Sequence, residues 1–313
     1  MNQKKSFVSR PVVAAILASF CAFLWGSAYP GIKSGYEFFS VGADDTAAKM
    51  AFAGLRFALS GALVFLFRAF QSGSKQKLTS LTSGDWTRVV ALALMQTAVH
   101  YTFFYIGLSY TSGAKSSILN SSTVFFAALL AHFAYTNDKV TLQKAIGILL
   151  GFAAVILVNL DGSLGLSFSL TGEGFILIAA FLHSFSALFS KRLSSRIDPV
   201  LMTALQLFLG GVILLIVGLL MGAPFPSSSG GGYLLLAYLA ALSAIAFSLW
   251  TLLLKHNKVS SITIFNFLIP VSGTLLSALF LGESIFRLEY LISLPLVVAG
   301  IVLVTQSSSK APV

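Results

Sequence analysis

Ten apolar runs with few charges, each close to the roughly 20 residues that an α-helix needs to cross a bilayer core, follow one another along this chain. Inside a bilayer only helices and closed barrels satisfy all of their backbone hydrogen bonds. The sequence therefore predicts an all-α integral membrane protein with ten transmembrane helices. The runs lie near residues 11–33, 47–70, 86–109, 114–135, 141–160, 171–190, 199–221, 233–254, 259–281 and 288–306.

The composition excludes several other classes of protein. Hydrophobic residues make up 57% of the 313 residues and charged residues only 10%, so little chain is left for a soluble domain. One cysteine, Cys21, excludes an internal disulfide and a cysteine-based metal cluster. The net charge of +10 comes from basic residues scattered between the spans, which does not suit nucleic acid. No Walker-type run and no metal-binding His/Cys spacing is present, so neither a cofactor nor a metal is predicted.

The basic residues also predict the orientation. If the N-terminus is cytoplasmic, most lysines and arginines fall in cytoplasmic loops, which is the positive-inside bias. The first span follows Lys4, Lys5 and Arg10 as in a signal peptide, but it is too long for a signal core and reads as an uncleaved helix. Both termini are therefore expected in the cytoplasm. The basic residues outside are then Lys33, Lys49, Lys115 and Arg287, and Arg56 lies within the second span.

A repeat relates the two halves of the chain. A shift of 146 residues aligns Asn120 with Asn266, and a shift of 150 aligns Arg56 with Gln206 and Gly61 with Gly211. The sequence predicts two five-helix repeats, residues 1–160 and 161–313, within one integrated membrane domain. Because five is odd, the second repeat enters the membrane from the opposite side. Inverted repeats of this kind are typical of secondary transporters that work by alternating access.

Three sequence segments resemble one known family. These are LWGSAYPGIK from Leu24, FAGLRFALSG from Phe52 and IPVSGTLLSALFLGESI from Ile269. They resemble the first, second and ninth helices of the EamA branch of the drug/metabolite transporter superfamily. The resemblance implies a ten-helix carrier of amino acids or other small metabolites, often an exporter of the bacterial inner membrane. The first half departs from the pattern, since Val124 and Asn137 stand where the second half has Pro270 and Glu283.

Polar residues cluster on equivalent faces of the fourth and ninth spans. Polar side chains within a membrane face the protein interior or a cavity, and an asparagine amide offers a ligand both a donor and an acceptor. A substrate cavity is one interpretation, and helix packing through small polar residues is the other. The candidates for substrate binding here are Ser117, Asn120, Ser121, Thr263 and Asn266.

A second group of candidates lies on the first, third, sixth and eighth spans. Gln96 and His100 share a helix face, and a histidine near mid-membrane is a candidate proton carrier because its unperturbed pKa lies near neutral. Burial favours the neutral ring, so a packing histidine is the alternative. Aromatic residues could wall the same pocket. The group comprises Gln96, His100, His183, Tyr101, Tyr105, Trp25 and Trp250.

Arg56 is the costliest residue to place in a membrane. A guanidinium away from the helix ends costs about 2.5 to 3.5 kcal/mol on insertion scales unless it snorkels or finds partners. Its functional interpretation is recognition of a substrate carboxylate. Its structural interpretation is capping of helix carbonyls near the outer surface.

These features together predict a secondary transporter in the bilayer of the inner membrane. It would move a small polar metabolite, such as an amino acid, without a catalytic residue. The central parts of the spans hold no Asp or Glu, so carboxylate-based proton exchange is not expected, whereas coupling to a proton through histidine or to an exchanged solute stays open. The alternatives are a passive channel or, with less support, an intramembrane enzyme. The pattern specifies neither the substrate nor the oligomeric state.

The predicted orientation has a direct test. In a variant lacking Cys21, single cysteines at Ser163 and Ser228 should react with an impermeant thiol reagent added to intact cells, because both positions lie in predicted outer loops. Cysteines at Ser74 and Ser195 should react only after lysis. The reverse pattern at either pair would remove the basis for two five-helix repeats of opposite orientation.

Overall fold

Ten apolar helices lie within the part of the chain that the structure describes. The computed structural model describes residues 8, 10–70, 76–136, 139–160, 168–257 and 262–308. Nine helices within these ranges are long and apolar enough to cross a membrane, and α5 is a shorter apolar helix. The predicted all-α, ten-helix architecture is confirmed. The helices are α1 Pro11–Phe38, α2 Thr46–Phe70, α3 Ser83–Tyr110, α4 Gly113–Ala134, α5 Leu142–Leu157, α6 Leu170–Leu193, α7 Pro199–Leu220, α8 Gly230–Leu254, α9 Ile264–Leu281 and α10 Leu288–Gln306.

Three helices differ in detail from the predicted spans. Helix α1 continues past Lys33 because Tyr36 is buried and its hydroxyl donates a hydrogen bond to a backbone carbonyl of α3. Helix α4 is interrupted at Ser121, whose N–H donates to the carbonyl of Ile118 (3.1 Å) in a 3₁₀-type bond. Helix α9 opens with a 3₁₀ turn over Ile264–Phe267. Asn137 and the labelling positions Ser74 and Ser163 lie outside the described residues.

The chain divides into two compact units. Unit 1 comprises Met1–Tyr29, Gly113–Phe168 and Ala246–Val313, and unit 2 comprises Pro30–Ser112 and Ser169–Ile245. Each unit takes helices from both predicted repeats, and helices α1 and α8 each contribute to both units. The division into repeats at residue 160 is a relation within the sequence and stays a prediction.

In unit 2, helices α2 and α7 pack with their backbones in close approach. Gly218 lies against the backbone of Ala51, and Gly61 lies against the backbone of Phe208. From one contact to the next, the residue numbers of α7 decrease as those of α2 increase, so the two helices run antiparallel. Small residues at a membrane helix interface permit such an approach, and dispersion contacts then hold the helices together.

The same interface carries a symmetric pair of contacts. A Cβ on Gly61 would meet the backbone nitrogen of Phe208, and a Cβ on Gly211 would meet the backbone nitrogen of Ala58. The shift of 150 residues converts each contact into the other. A two-fold axis produces this self-complementary pattern, so the packing of α2 on α7 supports the predicted inverted repeat.

In unit 1, helix α4 packs on its repeat counterpart α9. Gly113 lies against Ser277, and the Ser117 hydroxyl lies 3.2 Å from that of Thr274. The numbering again runs in opposite directions, so this pair is antiparallel as well.

Helices α5 and α10 form the third pair of counterparts, also within unit 1. The Gln143 amide donates to the carbonyl of Leu303 (3.3 Å), and Gly147 lies against the carbonyl of Gly300. Each of these three pairs therefore packs antiparallel, which is the arrangement that opposite membrane orientations of the two repeats require.

The symmetric glycines predict matched effects on stability. Gly61→Ala and Gly211→Ala should each lower the free energy of unfolding by about 1 to 3 kcal/mol, because the new methyl group meets backbone that cannot rotate away. Gly230→Ala is the control, since a Cβ there meets nothing within 4 Å and alanine favours the helix. Thermal unfolding of the purified variants checks this, and a destabilised control or unchanged Gly61 and Gly211 variants would contradict it.

Candidate functional site

The most unusual group in unit 2 is the guanidinium of Arg56 on α2. Only 3% of the Arg56 residue is exposed. Its Nη1 donates to the Tyr105 hydroxyl on α3 (2.7 Å), and its Nη2 donates to the Ser243 hydroxyl on α8 (2.9 Å). Its Nε donates to the carbonyl of Leu239 at 3.3 Å. Three helices therefore converge on one charged side chain.

All of these partners of Arg56 are neutral. In the described part of the chain no Asp or Glu lies within ion-pair distance of the guanidinium. Only the bond to Leu239 reaches a helix carbonyl, as the capping interpretation expects. The side chain is buried rather than extended towards a surface. A buried cation is stabilised most by an opposite charge, and here that charge is missing.

The two hydroxyls that accept hydrogen bonds from Arg56 can still donate hydrogen bonds of their own. Tyr105 and Ser243 are each 1% exposed. Among the described residues neither hydroxyl donates a hydrogen bond, although a hydroxyl can donate as well as accept. The guanidinium and the two hydroxyls thus form a set of donors without an anionic acceptor. We call this set the Arg56 centre.

Aromatic side chains surround the Arg56 centre. The hydroxyl of Tyr36 donates to the backbone carbonyl of Tyr105 (2.7 Å), and the ring of Phe57 lies 4.0 Å from that of Tyr101 between centroids. The ring of Phe52 lies 6.2 Å from that of Tyr105. Apolar rings beside the guanidinium lower the local dielectric, which strengthens its electrostatic interactions.

Two histidines lie on the other side of Tyr101. The His100 ring lies 4.2 Å from the Tyr101 ring and 5.0 Å from the ring of His183 on α6. The Nδ1 atom of His100 lies 3.1 Å from the backbone oxygen of Gln96. The α3 backbone forms a π-helical turn over Ala93–Val99 directly before His100, and such turns are frequent at functional sites.

In unit 1, Asn120 lies at the interruption of α4. Its Nδ2 donates to the hydroxyl of Tyr29 (3.0 Å), whereas its buried Oδ1 has no hydrogen-bond partner among the described residues. The equivalent Asn266 lies in the 3₁₀ turn of α9 and is half-buried. Both asparagines therefore occupy irregular backbone at corresponding points of the two repeats.

The serines and the threonine on these faces have different surroundings. Ser117 donates to the carbonyl of Ala114 (2.8 Å), and Ser121 donates to the carbonyl of Ser117 (3.0 Å). Ser117 also lies against Thr274 of α9. These contacts fit the helix-packing interpretation. Thr263 immediately precedes the 3₁₀ turn of α9 and is half-buried.

The two tryptophans pack against each other in unit 1. Their ring centroids are 5.0 Å apart, and Trp25 also contacts Phe247 at 5.6 Å. Within this unit a cleft of about 410 Å³ is lined by other residues, namely Pro11, Ala14, Ala15, His256, Asn257, Ile262 and Phe265.

The predicted site residues thus form two groups. Unit 2 brings together Arg56, Gln96, His100, Tyr101, Tyr105 and His183, although Gln96 contributes its backbone oxygen to His100. Unit 1 holds Asn120, Asn266, Ser117, Ser121, Thr263, Trp25 and Trp250. The sequence did not single out Ser243 or Tyr36, because a serine or a tyrosine in an apolar helix carries no signal until its partner is known.

The apolar helices and their antiparallel pairs are those of a multi-pass membrane protein. A family model described as the EamA-like transporter family matches residues 12–160 and 170–306. The chain therefore belongs to the EamA-like transporter family, as the resemblance of its sequence segments implied.

Relatives span nearly the whole chain. The uncharacterized transporter YvbV of Bacillus subtilis is 28% identical over 94% of this chain and 92% of its own length. The uncharacterized inner membrane transporter YedA of Escherichia coli is 25% identical over 94% and 90%. A solved crystal structure superposes with a TM-score of 0.68 at 17% identity, covering 95% of this chain and 98% of that one, which shows a shared fold.

The bond between Asn120 and Tyr29 predicts a shared stability effect. Asn120→Leu and Tyr29→Phe should each lower stability by about 0.6 to 2 kcal/mol, the range for interhelical hydrogen bonds in membranes. The double variant should lose little more than either single variant. Asn266→Leu is the matched control and should unfold near the wild-type temperature. Additive losses in the double variant, measured by thermal unfolding, would show that the bond contributes nothing.

Proposed function

We propose that this protein is a secondary transporter of small polar metabolites that carry a carboxylate, with amino acids as the leading class. It moves them across the inner (cytoplasmic) membrane by alternating access. The protein itself performs no chemical reaction on its substrate.

The Arg56 centre carries this proposal. A guanidinium matches the geometry of a carboxylate and can bind it through two parallel hydrogen bonds. The hydroxyl protons of Tyr105 and Ser243 add two further donors beside it. An entering carboxylate would supply the missing negative charge, so part of its own desolvation cost would be offset by relief of the buried cation.

The antiparallel pairs support alternating access. Helices α2 and α7 contact each other through a symmetric interface, so the two repeats can exchange their conformations about that interface. Such an exchange opens a site to one side of the membrane and then to the other. A passive channel is the runner-up and would use the same polar groups without this exchange. An intramembrane enzyme is the weaker rival, since no spacing in the sequence demands a nucleophile and a base on one helix face.

The proposal has a binding test. The melting temperature of the purified protein should rise with carboxylate-bearing amino acids, because a ligand of the folded state stabilises it. Amino-acid methyl esters and quaternary ammonium compounds should have no effect, since they lack the anionic group. In Arg56→Gln this stabilisation should disappear while the protein without ligand stays as stable as wild type or more so, because a buried charge has been removed.

The matched control is Arg88→Gln, which removes an exposed arginine in the first two turns of α3 that pairs with Asp85. It should retain the wild-type response. Retained stabilisation by amino acids in Arg56→Gln, or equal stabilisation by their methyl esters, would overturn the proposed role of Arg56.

A further inference from the structure

The His100 and His183 pair is a titratable cluster of unit 2 that lies away from the helix ends and that the proposed function leaves unused. His100 is buried, and His183 is half-buried and so is the nearer of the two to the surrounding medium. The contact of His100 Nδ1 with a carbonyl oxygen requires a proton on Nδ1, which leaves Nε2 as the basic nitrogen of the neutral ring. At 5.0 Å between rings, a proton on one imidazole disfavours a second proton on the other. The pair can therefore hold one exchangeable proton.

The charges that face this pair are few. Arg56 on α2 is the permanent cation, and Tyr101, Tyr105 and Tyr36 are the titratable neighbours on α3 and α1. Helix α7 carries no ionisable side chain. The remaining ionisable groups of α2, α3 and α6, acids included, lie in the first or last two turns of those helices. The middle of unit 2 thus holds a fixed positive charge and no fixed negative charge.

A short chain of contacts joins the pair to the Arg56 centre. Arg56 donates to Tyr105, the Tyr105 ring lies 6.2 Å from that of Tyr101, and the Tyr101 ring lies 4.2 Å from that of His100. A proton on the histidines would add a second positive charge to the same poorly solvated region. A carboxylate at Arg56 would cancel one of the two charges, so each ligand favours the binding of the other.

We propose that the His100 and His183 pair takes up one proton together with the carboxylate at Arg56, so that proton and substrate cross the membrane in the same direction. This inference rests on the proposed binding of a carboxylate at Arg56. The proton comes from water on the side of entry and returns to water on the side of release, and no covalent bond to the substrate changes. A zwitterionic amino acid then carries one net positive charge across, and a monoanion carries none.

Proton uptake on binding tests this directly. A mixture of the neutral L-amino acids, adjusted to the same pH, is added to the purified protein in a weakly buffered solution with a pH-indicating dye. We expect uptake approaching one proton per protein near neutral pH, together with a higher melting temperature. The apparent affinity should weaken as the pH rises, by up to about tenfold per pH unit for one linked proton.

Three histidine variants locate the proton. His100→Gln and His183→Gln should each abolish the uptake, and His256→Gln, which removes an exposed histidine of unit 1, should retain it. Proton release on binding, or uptake that persists in both of the first two variants, would overturn the inference. If those variants do not fold, the wild-type affinity decides the question, and a constant affinity between about pH 6 and about pH 8, on either side of the ordinary pKa of histidine, overturns it.

The two proposals can fail separately. Stabilisation by the amino acids without proton uptake overturns the coupling and leaves the carboxylate site at Arg56 standing. If the amino acids cause neither stabilisation nor proton uptake, both proposals are overturned.

Discussion

The proposed chemistry of this transporter depends on one buried guanidinium, that of Arg56, which pairs with no acid among the described residues. Arg56 is held by two hydroxyls and a carbonyl from neighbouring helices, in a part of the chain whose acids lie towards the helix ends. Neutral partners accept three hydrogen bonds from it but leave its charge uncompensated, which is the basis for the proposed binding of an anion. The aromatic rings around it and the nearby histidines take their importance from that charge.

Equivalent helices of the two repeats pack antiparallel against each other. Helices α2 and α7 approach each other through Gly61 and Gly211. The shift of 150 residues that relates the repeats turns the contact of one glycine into that of the other. Three of the candidate polar residues lie at irregular backbone: His100 follows a π-helical turn, and Asn120 and Asn266 lie beside 3₁₀ bonds. Irregular turns of this kind free backbone groups or re-aim side chains, which explains why the same few positions hold both the unusual geometry and the polar side chains.

The fold was predictable from the sequence, whereas the partners of the site residues were not. Apolar runs defined all ten helices, and the shift of 150 aligned Gly61 with Gly211 before their contact was known. Arg56 stood out because charge in an apolar run is costly. Ser243 did not, because a helical serine gives no sign of its partner 187 residues away. The serines near Asn120 were predicted for a cavity as well as for packing, and their hydroxyls bond to their own helix. The units hold whole pairs of repeat counterparts, α2 with α7 in unit 2 and α4 with α9 and α5 with α10 in unit 1, but the division of α1 and α8 between the units follows from tertiary packing.

Solute counterflow in liposomes tests the central claim most directly. Purified protein is reconstituted into vesicles loaded with an unlabelled amino acid, and uptake of the labelled compound from outside is followed. A carrier that alternates around one site should give transient, saturable accumulation, and Arg56→Gln should abolish it. Flux that rises linearly with concentration, or ionic conductance without counterflow, would contradict alternating access and favour a channel.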